Sequence, residues 1–204
     1  MATGEMVKCT EQECIDFVYK AMPSSLEFDD DGNMLEPGRE GSGQQLADAF
    51  DYLELFGLLR ESDYRFLGQR RLVDWSERPV GMPRIYIMDY LWIEDHRDDT
   101  IRQMLEMKGP LVARITSFPD FYYWSDEDEV FIGPEYEYEY FEDYSMHVVL
   151  IVGYGEQDET PYYIIKNSYR TDSGHKGYAK IHRRLIHNYE ALYGPSDTYM
   201  IDPQ

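Results

Sequence analysis

The sequence has few cysteines and few basic residues for its length of 204 residues. Its two cysteines, Cys9 and Cys14, lie close together near the start, whereas folds stapled by disulfides use more cysteines, spread more widely. Nineteen Lys and Arg residues stand against forty Asp and Glu residues, so the formal net charge is -21. A chain this acidic repels phosphate backbones and anionic membranes, which argues against nucleic-acid binding and membrane docking. The charge permits a neutral or basic protein partner, or it serves solubility alone.

Long apolar runs are also missing. No stretch of about 18 apolar residues is present that could span a bilayer, and the opening "MATGEMVKCTEQEC" has no apolar core of a signal peptide. No N-x-S/T glycosylation sequon occurs either. Together with the scarcity of cysteine, these absences predict a soluble protein of a reducing compartment, and we expect a cytoplasmic location.

Helical patterns come first along the chain and strand patterns follow. In "TEQECIDFVYKAM", Thr10 and Glu13 predict a capping box at a helix start, and Gly109 ends a later helix in "DDTIRQMLEMKG". The segments "PLVARITS", "SMHVVLIVGYGE", "TPYYIIKNSY" and "KGYAKIHRR" are typical of strands. This order predicts an α+β protein, with a helical lobe over 1–80 and an antiparallel sheet lobe over 81–204 packed as one compact unit.

One histidine and one asparagine have the spacing of a catalytic pair. His147 stands directly before an apolar run, and Asn167 follows a second apolar run 20 positions later. A neutral histidine beside a thiol can take its proton, while an amide oxygen can hold the imidazole in a useful orientation and tautomer. That division of roles is typical of a cysteine peptidase. Three of the other four histidines, namely His175, His182 and His187, have poor spacing for metal ligands, so we expect neither a metal nor a cofactor.

Six segments, in the same order along the chain, resemble the papain-like cysteine proteases. "HVVLIVGYG" at 147–155 is similar to the family's histidine motif H-A-V-L-I-V-G-Y-G, and "KNSYRTDSGHKGY" at 166–178 is similar to its asparagine motif K-N-S-W-G with the following W-G-x-x-G-Y. The resemblance implies a papain-like fold with His147 as general base and Asn167 as its orienting residue. The four remaining segments are "CTEQECIDF" at 9–17, "GSGQQLADAFDYL" at 41–53, "KGPLVARI" at 108–115 and "EVFIGP" at 129–134.

The family's nucleophile has no counterpart in this sequence. In the family it lies in Q-G-x-C-G-S-C-W, at the start of a long central helix that precedes the segment resembled by "CTEQECIDF", and no such motif occurs among these residues. We therefore predict an N-terminally truncated, catalytically inactive relative, not an enzyme. In that case His147 and Asn167 are retained as structural residues.

Two alternatives keep a catalytic role open. Cys14 lies in the first turns of a predicted helix, where the helix dipole lowers the pKa of a thiol. It falls at a packing position of the family's segment, however, and because free cysteine is among the most buried residue types we expect it to be buried. The second alternative is a split cysteine peptidase, in which this chain supplies His147 and Asn167 while another chain supplies the cysteine.

Protein binding, as a regulator, decoy or antidote-like partner, is the role predicted for an inactive chain. The resemblance implies that loss of the central helix leaves an apolar groove between the lobes, with Phe50 and Phe56 as partner-binding candidates. We expect an acidic loop containing Glu135, Glu137 and Glu139 to lie at its rim. A neutral or basic protein gains from this field, whereas two copies repel each other, which disfavours a homo-oligomer. The other candidate walls of the groove are Phe17, Leu53, Val148, Leu150 and Ile165.

Overall fold

A computed structural model describes residues 7–21, 46–116, 118–122, 124, 128–133, 146–168 and 176–193 of the protein. The chain divides into two compact units, of which the first runs up to Tyr90 and the second comprises Leu91–Leu192. The lobes expected at 1–80 and 81–204 remain a prediction. Within the described ranges, no helix is both long and apolar enough to cross a membrane.

The first unit is built around two helices, α1 (Glu11–Ala21) and α2 (Leu46–Leu55), with a short 3-10 helix at Trp75–Glu77. Thr10 begins α1, because its Oγ1 accepts a hydrogen bond from the backbone N–H of Gln12 at 3.1 Å. The core of the unit is formed by the buried side chains Phe17, Val18, Tyr52 and Leu58.

A buried carboxylate joins the two helices of this unit. Glu13 accepts hydrogen bonds from the Tyr52 hydroxyl and from the Leu59 backbone N–H, both at 3.0 Å. Arg84 donates to the same carboxylate at 2.6 Å, and the guanidinium of Arg78 lies 3.4 Å away. The predicted capping box at Thr10 is therefore wrong: this carboxylate faces the interior, and Thr10 N–H donates instead to the Leu59 carbonyl at 3.0 Å.

Side chains of α1 also hold the irregular segment 64–71, which has neither helix nor strand. Both polar atoms of the Gln12 amide are used, because its Oε1 accepts from Leu67 N–H and its Nε2 donates to the Gln69 carbonyl, each at 2.8 Å. Asp16 accepts from the backbone N–H and the Nε of Arg71, also at 2.8 Å. Gln12 and Asp16 are fully buried, so their hydrogen-bonding capacity is met by this segment rather than by water.

The second unit contains a seven-stranded sheet, as far as the structure describes it, with the strands β1 (Asp89–Trp92), β2 (Leu111–Thr116), β3 (Val130–Phe131), β4 (Met146–Gln157), β5 (Thr160–Lys166), β6 (Tyr178–His182) and β7 (Ile186–Tyr193). Their order across the sheet is β1-β7-β2-β4-β5-β6-β3. The described pairs are antiparallel except β3 with β6, which run parallel, so the prediction of an antiparallel sheet is corrected at this edge. Two helices, α3 (Asp98–Lys108) and α4 (Pro119–Tyr122), belong to the same unit.

One face of the central strands forms the core of the second unit. Successive side chains of a strand point to opposite faces, and the alternate residues Leu111, Ala113 and Ile115 of β2 are all buried. In the β2–β4 register, Leu111 lies opposite Ile151 and Ala113 opposite Val149, and both partners are buried as well. Helix α3, with its fully buried Ile101, packs against β2 and β4.

We predict that Glu13→Gln destabilises the first unit by about 3–5 kcal/mol, because it removes one partner of a buried ion pair and leaves the Arg84 charge uncompensated. The measurement is the free energy of unfolding from urea denaturation. Glu11→Gln, one exposed position at the start of the same helix, is the matched control and should cost less than about 1 kcal/mol. Equal effects of the two substitutions would contradict the assigned role of the buried carboxylate.

Candidate active site

His147 and Asn167 lie beside each other at one end of the central strands. His147 is the second residue of β4 and pairs with Ile115 of β2, while Asn167 directly follows β5. Their side chains are half-buried, and His147 Nε2 lies 2.8 Å from Asn167 Oδ1. An amide oxygen only accepts hydrogen bonds, so this contact requires the proton on Nε2. In the neutral imidazole, Nδ1 is then the atom that carries the lone pair.

A β-bulge between Ile151 and Gly153 places these two side chains on the same face. Near the β4–β5 turn, Tyr154 lies opposite Tyr163, but beyond the bulge Ile151 lies opposite Ile165, one residue out of step with the first register. His147 is four residues from Ile151, and Asn167 is two residues from Ile165. Both therefore share the face of that buried pair. Without the extra residue, the register of the turn would put Asn167 opposite Leu150 and on the other face from His147.

The backbone of Asn167 is fixed by the start of the next strand. Its N–H donates to the Gly177 carbonyl at 2.8 Å, immediately beyond the last β5–β6 pair, Lys166 with Tyr178. Gly177 has a φ of 87°, a conformation that favours glycine. The sequence reasoning missed this contact, although the glycine stands in the "KGY" that resembles the end of the asparagine motif.

Neither cysteine of the first unit has the properties of an activated nucleophile. Burial, followed by the nearby Glu13 charge, raises the pKa of the Cys14 thiol to about 12, and burial also raises the pKa of Cys9. The helix-dipole effect considered for Cys14 is therefore outweighed. Both cysteine side chains are half-buried and pack against the core of the unit. Neither of them forms a disulfide.

The predicted partner-binding residues Phe50 and Phe56 are less exposed to solvent than expected. Phe50 is buried, with its ring centroid 5.1 Å from that of Tyr90, and Phe56 is half-buried, 5.2 Å from the ring of Trp75. Phe17 and Ile165 are fully buried in the cores of their own units. The prediction that these two residues and Phe50 form the walls of an open groove is therefore wrong. Of the proposed walls, Val148 is the one that is clearly exposed, at 41%. Glu135, Glu137 and Glu139 lie outside the described residues.

The histidines named as possible metal ligands do not form a cluster in the described structure. His182 Nδ1 accepts a hydrogen bond from Arg184 N–H at 3.0 Å, and His187 Nε2 contacts the Thr116 hydroxyl at 2.5 Å. Burial lowers the pKa of both imidazoles. His175 lies outside the described residues. Across the described ranges, no group of three His, Cys, Asp or Glu side chains is placed to hold a metal ion.

The contact between His147 and Asn167 is typical of a cysteine peptidase, and comparison with known proteins identifies the family. Residues 3–193 match the family "Papain family cysteine protease", so the chain belongs to this family. It is 30% identical to cathepsin K of Gallus gallus over 145 residues, 70% of this chain and 41% of that protein. It is 32% identical to cathepsin F of Mus musculus over 132 residues, 63% of this chain and 26% of that protein.

Solved structures confirm the predicted papain-like α+β fold. The structure of digestive procathepsin L 3 of Tenebrio molitor larval midgut aligns with a TM-score of 0.68 at 21% identity, covering 93% of this chain and 57% of that one. The matched part of the chain covers less than half of the length of these relatives, 41% of cathepsin K and 26% of cathepsin F. The prediction that the protein is not an enzyme is wrong, because the family it matches throughout most of its length is one of proteases.

The raised pKa of Cys14 leads to a prediction about thiol reactivity. With a pKa of about 12, only about 10⁻⁴ of the thiol is ionised at pH 8, and the thiolate is the reactive form. In a Cys9→Ser variant, alkylation of Cys14 by iodoacetamide at pH 8 should therefore be at least about 10²-fold slower in the folded protein than in urea. Rapid labelling of the folded protein at this position would show an activated thiol and would reopen its candidacy as a nucleophile.

Proposed function

We propose that this chain supplies the general-base half of a papain-type cysteine peptidase site, and that the nucleophilic thiol comes from a segment outside these 204 residues. The observation that supports the proposal is the 2.8 Å contact between His147 Nε2 and Asn167 Oδ1. It holds the imidazole in the tautomer whose Nδ1 can accept a proton. Once Nδ1 has accepted that proton, the ring is an imidazolium, and Asn167 Oδ1 still accepts the hydrogen bond from its Nε2–H.

The chemistry assigned to these residues has two halves. His147 Nδ1 takes the proton of the thiol, and the thiolate attacks the carbonyl carbon of the scissile peptide bond. The protonated His147 then gives that proton to the leaving amine as the C–N bond breaks, leaving a thioester. In the second half, His147 takes a proton from water and the resulting hydroxide attacks the thioester carbonyl carbon. The C–S bond then breaks, the carboxylic acid product leaves, and the protonated His147 returns its proton to the thiolate, which restores the thiol. Asn167 keeps the imidazole plane fixed through both halves.

The source of the thiol is the part of the proposal that reaches beyond this sequence. A Q-G-x-C-G-S-C-W segment, absent from these residues, would come from a longer form of the same protein or from a second chain. A second chain would also be the predicted protein partner, and its neutral or basic character would suit the charge of -21. The regulatory binding role, which belongs to an inactive chain, and the cytoplasmic, reducing location both remain predictions.

The test assembles the site and then removes the proposed base. The chain is fused behind, or mixed with, a polypeptide carrying Q-G-x-C-G-S-C-W and its helix. Hydrolysis is followed on a peptide with a bulky apolar residue second before the scissile bond. His147→Ala should lower kcat by about 10²–10⁴-fold, since general acid–base catalysis contributes that much. Asn167→Ala should lower kcat by up to about 10²-fold through misplacement of the imidazole.

His182→Ala is the matched control, because this histidine lies on β6 of the same unit and bonds to Arg184 N–H instead of Asn167. It should leave kcat within about twofold of the wild type. A wild-type rate for His147→Ala, or no turnover with any thiol-bearing segment, would contradict the proposal. The intact mass of the protein from its own cells, after labelling with a thiol-directed epoxide, tells a longer single chain from a second chain.

A further inference from the structure

The turn that leads into β6 ends in two consecutive residues with a positive φ. Lys176 has a φ of 54° and Gly177 a φ of 87°. Side chains with a Cβ rarely adopt such values, and a lysine there carries a conformational cost. Conformations of this kind persist where the surrounding structure holds them, and they are common at functional sites.

Backbone conformation, and not lack of space, is the reason for glycine at 177. A Cβ built on Gly177 would meet nothing closer than the Asn167 carbonyl oxygen, at 3.9 Å, which is an ordinary van der Waals contact. An alanine would therefore fit sterically, but it would draw the backbone away from a φ of 87°. The atom that moves with this change is the Gly177 carbonyl, which accepts the Asn167 N–H at 2.8 Å.

We infer that Gly177 is a positioning residue of the active site, an assignment that rests on the proposed function. Its carbonyl fixes the backbone of Asn167, which lies after the last residue of β5 and so has no strand residue on its C-terminal side. Only two side-chain torsions separate that backbone from Oδ1. A rotation of the Asn167 peptide is therefore passed to Oδ1 and through the 2.8 Å contact to His147 Nε2.

The link from Gly177 through Asn167 to His147 can be tested without the nucleophilic thiol of the assembled enzyme. Gly177→Ala should raise the hydrogen-exchange rate of the Asn167 amide by at least about tenfold, because local protection depends on the bond that is lost. The ¹⁵N signals of the His147 ring should move from a single Nε2–H tautomer towards a mixture of the two. Both readouts use the chain as it stands.

Gly109→Ala is the matched control. Gly109 has a φ of 89° and open space around its Cβ position, so its substitution carries a similar backbone cost at the end of α3, in the same unit. It should change the stability of the protein but neither the Asn167 amide nor the His147 signals. If Gly177→Ala leaves these two readouts as unchanged as Gly109→Ala does, the positioning role is wrong.

A second variant keeps the inference testable where Gly177→Ala fails to fold. Asparagine enters the positive-φ region more readily than alanine, so Gly177→Asn should recover part of the amide protection and of the single tautomer. The expected order is glycine, then asparagine, then alanine. Equal behaviour of folded Gly177→Asn and wild type in both readouts, with no loss in either, would overturn the inference.

Activity of the assembled enzyme separates the inference from the proposed function. Gly177→Ala should lower kcat by about tenfold to 10²-fold and leave KM within about twofold, as misplacement of a catalytic group does. If the NMR and exchange changes occur but no assembled form ever turns over, the proposed function fails while the contact chain stands. If turnover is reconstituted and Gly177→Ala retains the full kcat, the positioning role fails while the proposed function stands.

Discussion

The active-site pair depends on a single extra residue in β4. A two-residue turn sets the register of β4 and β5, and in that register His147 and Asn167 would point to opposite faces of the sheet. The bulge between Ile151 and Gly153 moves the far part of the pair by one step, so both side chains emerge on the buried face, just beyond its last apolar pair. Because side-chain direction alternates at each residue, a shift of one position is enough to make or abolish the pair.

The amino-acid sequence predicted the identity of the pair but not the device that assembles it. Histidine and asparagine motifs, each attached to an apolar run, identified His147 and Asn167 and the family fold. A β-bulge has no comparable sequence pattern, because a strand with one unpaired residue can be as continuously apolar as a regular strand. The contact from Asn167 to Gly177 was equally hidden, because backbone hydrogen bonds depend on register and not on residue type.

Charged residues of the first unit follow tertiary contacts more than local sequence patterns. Glu13 stands where a capping box places its glutamate, and local sequence favoured that role. The carboxylate instead neutralises Arg84 inside the first unit, a contact between residues 71 positions apart. In a chain with 40 acidic and 19 basic residues, several of the cations are used in this way, paired with buried carboxylates such as Glu13 and Asp16. The expectation of inactivity depends on one motif that is absent from the 204 residues, whereas the family match depends on all the motifs that are present.

The hydrogen bonds of Gln12 and Asp16 with segment 64–71 couple the stability of that segment to the stability of α1. That segment has no helix or strand of its own, and its shape depends on hydrogen bonds from α1 side chains. Its native shape therefore depends on an intact α1, and a local opening of α1 releases the segment as well.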